Sequence, residues 1–261
     1  MRDFFNTLWI VYFSMTKISF LIAFVAIVFS THAQDSSEFD KLRYKTSDDT
    51  LLYRLLKPIQ QKDSEKYPLV IFLHGSGERG NDNELQLKYI SPLFLNAGNR
   101  EKYPCFLVVP QCPANENWIY PDWYLEPKEP MSTLISLIDS LIALPHIDKS
   151  RVYITGLSMG GYGTWYLLTK RPELFAAAVP ICGGGDTHQV EKFSHIPIWN
   201  FHGAKDDAVP VEHSRNMIQA LKAAGGSPKY TEYKKVGHDS WVNAFAEPEL
   251  LPWLFSKTSG R

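Results

Sequence analysis

Downstream of residue 66 the chain repeats one pattern, a short apolar run followed by a longer stretch in which apolar and polar positions mix. The runs are Leu69–Leu73, Phe106–Val109, Arg151–Thr155, Ala176–Ile181, Ile198–Phe201 and Tyr230–Tyr233. They are short and alternate little, as strands covered on both faces do. Between them the spacing predicts helices over Met131–Leu144, Met159–Lys170 and Val211–Ala224, the second stopped by Arg171-Pro172 and the third by Gly225-Gly226. Ahead of all these, Leu42–Thr46 and Thr50–Leu56 flank Ser47-Asp48-Asp49, a hairpin expected at a sheet edge. The predicted class is therefore α/β, with a mostly parallel central sheet, helices on both faces and an antiparallel N-terminal hairpin. Gln111–Pro130 breaks the pattern: it is rich in proline and aromatics, has no clean period and reads as a long functional loop.

The N-terminus follows other rules. Ile18–Ser30 is continuously apolar, preceded by Lys17 and followed by Thr31-His32-Ala33, which is the form of a secretory signal peptide cleaved after Ala33. Met15 offers a second start, with residues 1–14 as an upstream extension, and an uncleaved anchor is the alternative. The expectation is an exported protein, periplasmic or secreted, with residues 34–261 as one catalytic domain and no stable membrane insertion after cleavage. Composition adds an exclusion. A formal net charge of -1 and the lack of any Lys/Arg run give no pull towards nucleic acid. The cysteines Cys105, Cys112 and Cys182 are odd in number. The first two flank a predicted strand that would hold them about 23 Å apart, whereas bridged Cα atoms lie roughly 4.4–6.8 Å apart. All three are expected to be unpaired, and no Cys/His spacing suggests a metal.

The strongest chemical signal is Gly156-Leu157-Ser158-Met159-Gly160-Gly161, placed between a predicted strand and a predicted helix. This G-x-S-x-G turn lifts the serine above the strand ends, and the glycines leave room for so sharp a reversal. A serine hydroxyl needs a base, and the base needs a carboxylate to orient it. Of the downstream histidines His188, His195, His202, His213 and His238, only His238 follows the last predicted strand, where a loop can carry it to Ser158. Asp206 and Asp207, after the penultimate strand, are both placed to serve as the acid. Backbone N–H groups of Met159, at the helix start, and of Ser76, in the glycine-rich His74–Gly80 loop, are the expected oxyanion donors. His74 reads as structural.

These features resemble the α/β-hydrolase superfamily, and within it the secreted bacterial esterases described as polyhydroxybutyrate-depolymerase-like, feruloyl-esterase-like or phospholipase/carboxylesterase-like. The resemblance rests on His74-Gly75-Ser76-Gly77, Pro110-Gln111-Cys112-Pro113 with Trp118, Gly156–Gly163, Pro180–Gly184, His202–Pro210 and Gly237-His238. It implies the α/β-hydrolase fold, Asp206 rather than Asp207 as the acid because it stands four residues after the histidine of His-Gly, and Ser76 as an oxyanion donor. It implies a serine esterase without a cofactor, acting through an acyl-enzyme. Trp118, Trp123 and Tyr124, with Tyr120, crowd the long loop and are expected to meet substrate, which points to acyl or feruloyl esters of polysaccharides. The alternatives are a peptidase of the prolyl-oligopeptidase type and a non-catalytic binding module on a hydrolase scaffold.

Overall fold

The computed structural model describes residues 36–119 and 127–260. They lie within one compact unit, Gln34–Arg261, and the expected signal peptide falls outside them. Eight strands, β1 (Phe39–Lys45), β2 (Thr50–Leu56), β3 (Tyr67–Leu73), β4 (Phe106–Gln111), β5 (Ile147–Leu157), β6 (Ala177–Ile181), β7 (Trp199–Gly203) and β8 (Lys229–Tyr233), form one sheet in the order β1-β2-β4-β3-β5-β6-β7-β8. β1 and β2 make the expected edge hairpin, β2 runs antiparallel to β4, and the remaining pairs are parallel.

Every residue of β3 is buried. Because side chains alternate across a strand, Leu69, Ile71 and Leu73 join the core on one face while Val70 and Phe72 join the other. After two short helices, α1 (Ser91–Leu95) and α2 (Ala97–Lys102), the first core is closed by α3 (Met131–Ile142) and α4 (Met159–Lys170), through Leu134, Leu137, Ile138, Trp165 and Leu168. The second is closed by Phe94, Leu250, Leu251 and Leu254, from helices absent from the sequence pattern. Each such side chain contributes roughly 1.5–3 kcal/mol when fully buried, so a run without alternation marks a strand with partners above and below. β8 departs from that expectation: it is the far edge strand, and its residues are half-buried or exposed.

From β3 the chain steps outward to β4, then returns past β3 to β5. The carboxyl ends of β3 and β5 thus meet where the winding reverses, which is where open α/β sheets form their crevice. Leu73 pairs with Gly156 there, so the His74–Gly80 loop and the Ser158 turn leave the sheet side by side.

Candidate active site

Ser158 stands between β5 and α4 with φ 52° and ψ -116°. A non-glycine residue there carries strain on the order of 1–3 kcal/mol that its surroundings must impose. They impose it by close approach. A Cβ at Gly160 would land on the Leu73 carbonyl, and one at Gly156 on the Gly160 carbonyl. The Ser158 amide donates to the Ile181 carbonyl at 3.0 Å, and its own carbonyl accepts from Tyr162 N–H at 3.1 Å. The turn is therefore fixed by β3, β6 and α4 at once.

His238 comes from the turn after β8. Its Nδ1 lies 2.8 Å from Asp206 Oδ2 and 3.0 Å from Oδ1, and its Nε2 lies 2.9 Å from Ser158 Oγ. The carboxylate can only accept, so Nδ1 carries the ring proton and Nε2 is left to accept the serine proton. Backbone bonds hold the two loops together: Ala204 N–H donates to the Tyr233 carbonyl and Lys205 N–H to that of Val236. The Trp241 ring stands edge-on to the imidazole at 5.3 Å.

Asp206 opens a tight turn whose Ala208 and Val209 amides donate to Oδ1 at 3.0 and 2.8 Å. Burial alone would raise its carboxyl pKa, but these bonds and His238 outweigh it and hold the group below the usual carboxylate range. Asp207, the alternative, is exposed on the same turn.

On the β3 side, the Cys112 amide donates to His74 Nε2 at 2.9 Å, so Nδ1 bears the proton and donates to the Gly75 carbonyl at 2.6 Å. Burial pushes the His74 pKa down to about 4, leaving the ring neutral. Glu78 N–H also reaches the Gly75 carbonyl. A trans peptide is planar, so anchoring that carbonyl inward turns the Ser76 N–H the opposite way, out of the core. Arg79 braces the loop from outside, through Ser76 O and Glu116 O.

One expectation fails. Trp118 is fully buried, its ring packs edge-on to His74 at 5.2 Å, and its Nε1–H donates to the His74 carbonyl at 3.1 Å. It supports the His74–Gly80 loop from behind and offers no face to a ligand, because its indole N–H is taken by the loop's own backbone. Tyr120, Trp123 and Tyr124 lie outside the described residues. Two contacts escaped the sequence. His202, four residues before Asp206, places Nε2 3.2 Å from Asp206 Oδ2. Cys182, at φ 39° after β6, brings its sulfur within 4.8 Å of the Asp206 and His238 donor atoms. The three cysteines are buried and unbridged, as expected. Among the described residues, Cys182, Asp206 and His238 form a cluster of possible metal-donor atoms. It suits a cation poorly, since burial pushes the thiol up to about 12 and the carboxylate is already committed to His238.

A phospholipase/carboxylesterase family model matches residues 126–248, a span that holds Ser158, Asp206 and His238. A thermostable esterase of known structure is 41% identical with a TM-score of 0.80, covering 85% of this chain and 64% of its own. Poly(3-hydroxyalkanoate) depolymerase C of Paucimonas lemoignei is 31% identical over 123 residues, 45% of this chain and 28% of the depolymerase. A probable SOBER1-like carboxylesterase of Arabidopsis thaliana is 26% identical over 204 residues, 69% of this chain and 76% of that protein. The chain thus spans less than two thirds of the depolymerase and of the thermostable esterase. The sheet order, the strained serine turn and these likenesses give the chain an α/β-hydrolase fold, and its residues 126–248 are similar to the phospholipase/carboxylesterases.

Proposed function

We propose that the protein hydrolyses carboxylic esters, with Ser158 as nucleophile, His238 as base and Asp206 as the acid that orients it. The observation that carries this reading is the unbroken chain of contacts from Ser158 Oγ through the His238 ring to Asp206, with a tautomer that only one proton arrangement satisfies. Ser158 Oγ attacks the ester carbonyl as His238 Nε2 takes its proton. The oxyanion is held by the amides of Ser76 and Met159, the latter at the positive end of α4. His238 then protonates the departing alcohol, and a water activated by the same ring frees the acid.

The substrate reading is an exported enzyme acting on acyl or feruloyl esters linked to polysaccharides. It is supported by the exposure of Ser76 and Gly77, which leaves the oxyanion loop open to bulky alcohols. Among the described residues no helix is long and apolar enough to cross a membrane.

Two measurements test this. A fluorophosphonate probe should label the native chain and leave Ser158→Ala unlabelled; a variant that still turned over a p-nitrophenyl ester would remove the nucleophile. A panel of methyl ferulate, acetylated xylan and aliphatic esters tests the substrate class, and a preference for long-chain lipid esters would overturn it.

A further inference from the structure

His202 is the penultimate residue of β7, and neither its side chain nor that of Asp206 has any exposure. Its Nε2 faces two acceptors, the Val209 carbonyl at 3.0 Å and Asp206 Oδ2 at 3.2 Å. A bare nitrogen between two acceptors would be repelled by both, so Nε2 carries the ring proton. Nδ1 is then the acceptor, and the Ser214 hydroxyl donates to it at 2.7 Å. Burial lowers the ring's basicity and keeps it neutral. The Asp206 carboxylate is thus approached on Oδ1 by its own turn amides and on Oδ2 by a second imidazole, while His238 Nδ1 spans both oxygens.

We propose that His202 is a positioning residue for the ester hydrolysis, its Nε2–H, locked by Ser214, holding Asp206 Oδ2 and the Val209 carbonyl so that the carboxylate keeps its aim at His238. This rests on the triad reading above. A purely structural role would make the ring a filler between β7 and α5 (Glu212–Ala223), replaceable by any group of its size. A positioning role ties the effect to one ring nitrogen.

The electrostatic consequence has a sign. A donor on Oδ2 withdraws part of the carboxylate's negative charge, and losing it leaves more of that charge to favour protonated His238. The midpoint of His238 titration, and with it the acid limb of kcat/KM, should move to higher pH. The other titratable groups near this pair are Cys182 after β6, Tyr162 on α4, Glu232 on β8 and Asp239 beside His238, with Lys205 and Asp207 exposed in the chain on either side of the acid. None of them changes in the comparison that follows.

The test is a pair of variants. The amide nitrogen of glutamine reaches the position of Nε2, and that of asparagine reaches only the position of Nδ1. His202→Asn should lose about tenfold or more in kcat/KM, mainly in kcat, and raise the His238 midpoint by about half a pH unit, by NMR titration of the ring. His202→Gln should stay within about threefold of the parent with an unmoved midpoint. An asparagine midpoint above both the parent and the glutamine variant supports the proposal, and any other order overturns it. Should the asparagine variant not fold, Ser214→Ala decides: a smaller upward shift supports the proposal and an unmoved midpoint overturns it. Inactivity of the parent toward every ester would sink the ester reading, while the ring titration would still judge His202.

Discussion

The same dipeptide, His-Gly, stands at the carboxyl ends of two strands of this sheet, just after β3 and as the last two residues of β7, and serves each in an opposite way. At His74-Gly75, after β3, the ring proton sits on Nδ1 and reaches forward to the next carbonyl, while Nε2 accepts from Cys112. At His202-Gly203, ending β7, the proton sits on Nε2 and reaches the Val209 carbonyl and Asp206, while Nδ1 accepts from Ser214. Both rings are fully buried, and burial lowers the basicity of both. Residue type is therefore not what distinguishes them. A neighbouring donor, the Cys112 amide in one case and the Ser214 hydroxyl in the other, decides which nitrogen is free to hold the site. One ring orients a peptide plane, and the other steadies a carboxylate.

Substitutions can separate the two roles. The largest effect is expected from Asp206→Asn, the group the second ring serves: an amide can present N–H to His238 and turn its tautomer, so kcat should fall about 10⁴-fold in an ester assay with the fold retained by circular dichroism. Next, His74→Phe removes the shorter of the two hydrogen bonds that anchor the Gly75 carbonyl, leaving only the Glu78 amide, and loosens the aim of the Ser76 amide. Loss of one oxyanion donor lowers kcat by about 10²–10³, so a loss of that size with little change in KM is expected. If that variant lost thermal stability alone, the peptide-plane role would be wrong.

The third test is pH. The folded-state pKa of His74, about 4, lies below the ordinary 6.5, so the unfolded chain binds a proton that the native chain refuses. The stability this ring contributes is complete above pH 6.5 and is lost as pH falls towards 4, by up to about 3 kcal/mol. His202, also lowered, adds in the same direction. Melting temperature should drop across that window, and His74→Phe should flatten the drop. The smallest effect belongs to Asp207→Asn: exposed and beside the acid, it should keep kcat/KM within about threefold. A large loss there would reopen the choice between the two aspartates.

The strands were legible because burial on both faces leaves apolar runs, and β3, β4 and β6 show this along their whole lengths. β5 begins earlier than the pattern suggests, at Ile147, since Asp148, Lys149 and Ser150 are polar residues at its outer end. Short helices such as Ser91–Leu95, Trp241–Phe245 and Leu250–Phe255 have too few turns to establish a period. The elbow and the candidates Ser158, Asp206 and His238 were readable because the chemistry demands those residue types and the fold sets their order along the chain. Trp118 was misread because an indole packs equally well inward or outward, and here a carbonyl of the β3 loop captures its N–H. The four-residue gap from His202 to Asp206 was visible, but its meaning depends on Val209 and Ser214, which only folding brings to the two ring nitrogens.

Gly160 lies so close to the Leu73 and His74 carbonyls that no side chain fits between them. The helix carrying the serine is thereby seated directly on the strand that launches the other loop, with no room for a methyl group between them. Engineering that exchanges segments beyond Gly80 to change which alcohols are accepted should therefore leave the reacting centre in register, whereas Gly160→Ala would wedge apart the two supports on which it stands.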